Sequence, residues 1–254
     1  MLQTSKLSKN SSPLTFFLFS SETCYELPLG NQSWKLGHKM NRHKYNPTII
    51  PMKNATYLFD WFDNEHIDYV THDWIDDVDT PNSSSDGICG VRLSDKELLL
   101  IGGEGFYSRR LIKFNTLDSN WHLMSSKLSI GRTRHSCVHF NKKIIVSGGV
   151  DDDGKVIAST EIIDISGNEW KIRHGGNLNQ ARYYFGMATI SLNGSASLIA
   201  FGGHSKNAIN EEPLDSIEIW DDTDESWFPA INLTLSRPKG EFGYISLPTK
   251  TLCP

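Results

Sequence analysis

The residues with the clearest chemical potential lie in the stretch "HSCVH", where His135, Cys137 and His139 alternate with Ser136 and Val138. In an extended strand, alternate residues share one face, and imidazole and thiolate are ligands that zinc takes. Residues four apart in a strand are about 13 Å apart, so the three cannot close on one ion. No other Cys or His lies near them in sequence. Packing along a strand is therefore expected, and no metal site is assigned. Two acidic runs, "VDDDGKV" (150–156) and "DWIDDVDTPNSSSD" (73–86), could attract calcium. The first lacks the ligand spacing and closing glutamate of an EF-hand. The second matches no motif, and both read as solvated loops. The sequence contains no GxSxG, HExxH or Walker-type loop, so no nucleophilic or phosphate-binding machinery is expected. The chain reads as a non-enzyme without a cofactor.

The elements that position these residues repeat along the chain. Apolar strands run into glycine pairs at "LLLIGGEG" (Gly102, Gly103), "IIVSGGVD" (Gly148, Gly149) and "LIAFGGHS" (Gly202, Gly203). A short alternating strand, a polar turn and a tryptophan follow each pair. Two further copies put Asp60 and Trp61, or Ser20 and Ser21, at the pair position. The repeat tryptophans are Trp34, Trp74, Trp121, Trp170 and Trp227, spaced 40 to 57 residues apart. After four of them comes an arginine (Arg42, Arg132, Arg182, Arg237) and then another short apolar strand; the copy "NSSSDGICGVRL" lacks the arginine. No segment sustains a helical period over ten residues, so each unit reads as four short antiparallel strands.

This order of arginine, strand, Gly-Gly, strand and tryptophan resembles the kelch repeat, over roughly residues 15 to 250. The resemblance implies an all-β, kelch-type β-propeller whose blades are four-stranded sheets around an axis. The glycine pairs would admit close approach between blades, and the tryptophans would fill the gaps. About five blades are expected. One is split between the termini, "LTFFLFSS" supplying its second strand and "GEFGYISLP" its first. Residues 1–14 read as a polar tail without fixed structure, and 15–254 as the propeller. In kelch propellers that bind peptides, contacts come from loops on one face. The residue after each glycine pair gives Glu22, Phe62, Glu104, Val150 and His204. The residue two beyond each arginine gives Lys44, Asp86, Arg134, Tyr184 and Lys239. The candidate partner-binding set is Lys44, Arg134, Tyr184, Lys239, Glu104 and His204. Three cations and a tyrosine around one mouth would favour an acidic or phosphorylated peptide. Kelch proteins often act as adaptors, as in ubiquitin ligases, or bind actin, usually with extra domains. Galactose oxidase, a copper enzyme, is built on kelch-like blades, but its copper constellation has no counterpart here.

The bulk composition agrees with this reading. With 254 residues, 38% hydrophobic and 22% charged, the chain is globular in composition. The net charge of −5 and the lack of any long Lys/Arg run argue against nucleic acid. No apolar run approaches the roughly 18–20 residues of a membrane span. Cys24, Cys89, Cys137 and Cys253 are too sparse for a disulfide scaffold and are expected as buried free thiols in the cytoplasm. Cys89 is taken to occupy the register of Cys137 one blade earlier, and a bond between them would need the inner strands to come unusually close. Six N-x-S/T sequons (Asn10, Asn31, Asn54, Asn82, Asn193, Asn232), against about three by chance, keep a secreted glycoprotein as the alternative.

Overall fold

The computed structural model describes residues 15–20, 23–28, 35–36, 40–41, 47–59, 64–69, 71, 73–76, 87–167, 169–192, 195–205 and 212–240. Its strands fall into antiparallel sheets, each built from neighbours in sequence. The first holds β1 (Thr15–Ser20), β2 (Thr23–Pro28) and β3 (Lys35–Leu36). Four complete blades follow. Blade I contains β4 (Thr48–Pro51), β5 (Ala55–Phe59), β6 (Asn64–Asp68) and β7 (Trp74–Ile75). Blade II contains β8 (Cys89–Arg92), β9 (Glu97–Ile101), β10 (Leu111–Asn115) and β11 (Asn120–Leu123). Blade III contains β12 (Ser136–Phe140), β13 (Lys143–Ser147), β14 (Thr160–Asp164) and β15 (Lys171–Gly175). Blade IV contains β16 (Gly186–Leu192), β17 (Ser195–Phe201), β18 (Ser216–Asp221) and β19 (Ser226–Thr234). The fold is an all-β propeller of four complete blades, where the sequence predicts about five. The fifth position shows only three strands, and most of "GEFGYISLP", the strand assigned to complete it, lies outside the described residues, as does the 1–14 tail.

The first strands of successive blades, β4, β8, β12 and β16, adjoin in that order without sharing a ladder. The blades are held together by side chains. One cluster packs Ile50 and Phe59 of blade I on Leu98 and Phe114 of blade II. Another packs Val91 and Leu99 of blade II on Ile144 and Val146 of blade III. A third packs Val138 and Ile162 of blade III on Met187, Trp220 and Trp227 of blade IV. The core thus lies between blades, which is why the middle strands β5, β9 and β13 read as near-continuous apolar runs. They are buried on both faces and cannot alternate.

The glycine pairs perform the role that the resemblance assigns them. Gly102, Gly103, Gly148, Gly149, Gly202 and Gly203 all have positive φ, between 64° and 113°, a region in which a side chain is strained. Gly102 and Gly148 also face the next blade, and Gly149 and Gly203 the entry loop of their own. A Cβ on Gly102 would lie 2.6 Å from the Arg132 carbonyl, and one on Gly148 would lie 2.6 Å from that of Arg182. Trp121 and Trp227 wedge backward. Trp121 of blade II meets Phe59 of blade I edge-on, with centroids 5.9 Å apart. Trp227 of blade IV donates from Nε1 to Thr160 Oγ1 of blade III at 3.1 Å.

Candidate functional site

Blades III and IV are each entered through a loop that crosses over the glycine pair of the blade before it, and in blade III this loop carries two kinds of arginine. Arg132 is fully buried. Its Nη1 donates to the carbonyls of Gly148 (2.9 Å) and Ser159 (3.0 Å), and its Nη2 donates to Ser159 Oγ (3.2 Å) and Glu161 Oε1 (2.9 Å). Glu161, also buried, accepts from the backbone amides of Ser129 (2.7 Å) and Ile130 (3.2 Å). Blade IV repeats the arrangement. Arg182 donates to Gly202 O, Ser216 O, Ser216 Oγ and Glu218 Oε1, while Glu218 accepts from the amides of Asn179 and Gln180. Burial pulls both guanidinium groups below their ordinary range, and the paired glutamates oppose that. A buried charge is tolerated only when paired and saturated with hydrogen bonds. These arginines clamp the entry loop to the sheet and are closed to any ligand.

Two residues beyond each clamp the chain turns outward. Arg134 and Tyr184 occupy equivalent places, and both are in the left-handed region, with φ of 56° and 49°. Left-handed backbone is costly for residues with a side chain. The Arg134 amide donates to Gly87 O at 2.7 Å, and the Tyr184 amide donates to Arg134 O at 2.9 Å. Gly87, Arg134 and Tyr184 therefore form consecutive steps of one backbone ring around the mouth of the propeller. The Arg134 guanidinium lies 5.2 Å from the centre of the Tyr184 ring and pairs with Glu104 at 3.5 Å. Beside it opens a cleft of about 510 Å³, bounded by Gly103–Gly105, Thr133–Arg134 and the turn from Val150 to Gly154. Asp151 is partly tied down there, accepting from the amides of Asp153 and Lys155. Phe106, on the adjoining turn, is 75% exposed and has Arg110 stacked against it at 4.8 Å. Among the described residues no group of three or more His, Cys, Asp or Glu is placed to hold a metal ion.

Residues 131–172, the entry loop and body of blade III, match the family model described as the kelch motif. This stretch of the chain carries a kelch motif. The kelch assignment is supported by alpha-scruin of Limulus polyphemus, 27% identical over 139 residues, which are 54% of this chain and 14% of that protein. This chain thus matches only a small part of that relative's length. The structure resembles the solved "Structure of YjhT", with a TM-score of 0.64 at 16% identity, over 80% of this chain and 69% of that one. At that identity the likeness concerns the fold.

Against this kelch frame the expected site residues separate. Arg134, Tyr184 and Glu104 come together at the mouth. Lys239 does not join them. Its carbonyl accepts from the Gly203 amide at 2.8 Å, as the Arg132 carbonyl does from Gly103 and the Arg182 carbonyl from Gly149. Lys239 therefore stands in the backbone place of the clamping arginines, two positions off the expected register. Asn41 bonds Glu65 and the Trp74 carbonyl just as Asn179 bonds Glu218 and the Trp227 carbonyl. Lys44 lies outside the described residues, as do Glu22, Phe62 and Asp86. His204 is only 7% exposed, bridged to Tyr183 and Pro213, with its ring 5.4 Å from that of Tyr183. It is a packing residue, not a loop contact. The spacing to the acid on the third strand (Glu65, Glu161, Glu218) is the sequence signal that marks the correct register, and the nearby Arg237 obscured it.

The "HSCVH" stretch divides as well. His135 is buried beneath Gly102 and Gly149, His139 is exposed, and Cys137 is bonded to Cys89. The free thiols expected for these two cysteines are thus replaced by a disulfide. The reason lies in register. Cys89 pairs with Ile101, the residue just before a glycine pair, whereas Cys137 pairs with Val146, two residues before one. Cys89 is therefore equivalent to Ser136, one position off Cys137. Side chains alternate faces along a strand, so two cysteines in the same register would point the same way around the ring. The one-residue offset turns them toward each other.

Proposed function

We propose that this chain is a non-enzymatic interaction module that binds a protein or peptide partner through the loop face of the propeller. The observation that carries the reading is the ring Gly87–Arg134–Tyr184, with two side-chain-bearing residues held left-handed beside an open cleft. Strained backbone is retained where it positions a contact, and stacked Arg and Tyr are the side chains that dominate protein interfaces. An acidic partner was expected from three cations at the mouth. Lys239 falls at a clamp position and Glu104 offsets Arg134, so the reading carried forward is a polypeptide ligand contacting Arg134 and Tyr184, whatever its net charge. The test is affinity capture with mass spectrometry, comparing the wild type with Arg134→Glu/Tyr184→Ala after both are shown to be folded. Partners present with the wild type and lost with the variant support the proposal. An identical partner set for both would overturn it.

A second reading, a secreted glycoprotein propeller recognising an extracellular ligand, is favoured over a cytoplasmic location by the Cys89–Cys137 bond. Structural disulfides persist mainly in oxidising compartments. The sequon residue Asn54 is exposed at the β4–β5 turn. A mass decrease on treating the protein from its native source with N-glycosidase supports this reading, and an unmodified Asn54 removes it.

A further inference from the structure

We propose that the Cys89–Cys137 disulfide is a redox latch on the mouth, closing the seam between blades II and III that the Arg134–Gly87 backbone hydrogen bond spans. This deepens the reading of the mouth as a binding face and rests on it. The strands β8 and β12 belong to separate sheets, so no ladder of backbone hydrogen bonds joins them. At the preceding seam, blade I sends Thr48 and Ile50 forward, and they close on Gly90. A Cβ on Gly90 would meet Ile50 Cδ1 at 2.3 Å and Thr48 Cγ2 at 2.9 Å. At the seam between blades II and III the corresponding forward residue is Cys89 and the backward residue is Cys137, and a covalent bond stands where the other seam uses a side chain on a glycine. The bond lies two residues after Gly87 and three after Arg134, directly behind the Gly87–Arg134 step of the mouth ring. The next step, Arg134–Tyr184, crosses to blade IV, whose first strand β16 has no cysteine. The latch therefore acts on one step of the ring and spares the other.

Both cysteines are buried, 6% and 5% exposed, so a reductant reaches them only when the seam parts. A dithiol opens the latch by thiol–disulfide exchange. The sulfur–sulfur bond breaks, two electrons and two protons pass to the cysteines to give two thiols, and the dithiol becomes a disulfide.

The test needs no ligand, so its outcome is separate from that of the partner reading. The full chain, purified without reductant, is digested under non-reducing conditions, and a linked Cys89–Cys137 peptide is expected. Amide hydrogen exchange is then resolved by NMR before and after reduction with dithiothreitol, and again for Cys89→Ser/Cys137→Ser. Reduction of the folded protein is the decisive readout if the double variant does not fold. The expected result is at least tenfold faster exchange of the Arg134 amide, with the Tyr184 amide and the β13 core amides of Ile144–Val146 unchanged. Absence of the linked peptide would overturn the proposal. So would unchanged exchange at Arg134, or equal acceleration at Arg134 and Tyr184.

Discussion

In blade III the entry loop is clamped by a fully buried Arg132 and Glu161, while in blade II the clamp is missing at both ends. The sequence place of the arginine there is Ser85, four residues before the first strand, and the place of the acid, opposite Leu100 on β9, is filled by the buried Ile112. Charge and countercharge are present together in blades III and IV and absent together in blade II. That is the pattern expected if a lone buried ion costs far more than a buried pair contributes. The comparison shows that the arginine of the repeat is a packing device that can be exchanged for apolar contact as a unit. It also shows that the neighbouring positions, Arg134 and Tyr184, are not part of that unit.

Copying blade II into blade IV sharpens this comparison and gives the largest expected effect. Arg182→Met leaves Glu218 buried without its partner and should cost about 3–5 kcal/mol in denaturant unfolding. Arg182→Met with Glu218→Ile should recover most of that loss. If the double variant is as unstable as the single one, the ion pair is not an exchangeable unit.

The seam between blades II and III should show the next largest effect. Cys89→Ser/Cys137→Ser is expected to lower stability by about 2–4 kcal/mol, the usual value for a disulfide closing a loop of this length. An unchanged midpoint would mean that side-chain packing alone holds the seam.

A smaller, pH-dependent effect separates the entry loops of blades III and IV, which carry His135 and Phe185 at the same place. Burial, followed by the Arg132 charge, holds His135 well below the ordinary imidazole range. The folded protein keeps it neutral, while the unfolded chain takes up a proton near pH 6.5. Stability is therefore complete above that pH and falls below it, by at most about 1.4 kcal/mol per pH unit. His135→Phe should flatten that part of the pH profile measured by thermal unfolding. A slope identical to the wild type would assign it to other groups.

The frame of the molecule was legible in the sequence because its signals are local. Glycine pairs that need positive φ, apolar middle strands and a tryptophan at a fixed place in each unit each mark one structural event. The position of a candidate residue was legible only where its register was unambiguous, as at Arg134 and Tyr184. Lys239 falls at the clamp place instead of the mouth because Arg237 supplies an arginine two residues early. The true register is set by contacts to a glutamate more than twenty residues away, and no local pattern displays it. The disulfide is hidden for a similar reason: in sequence "GICGV" and "HSCVH" give both cysteines the same register, and the hairpin pairing sets them one residue apart.

The division of labour between two arginines two residues apart is the central claim, and denaturant unfolding of Arg132→Met and Arg134→Met side by side tests it most directly. Arg132→Met is predicted to lose about 3–5 kcal/mol by leaving Glu161 buried and unpaired. Arg134→Met, which gives up a partly exposed ion pair with Glu104 and a stacking contact with Tyr184, is predicted to stay within about 1 kcal/mol of the wild type. Equal losses, or a larger loss for Arg134, would make the mouth part of the frame and contradict the account.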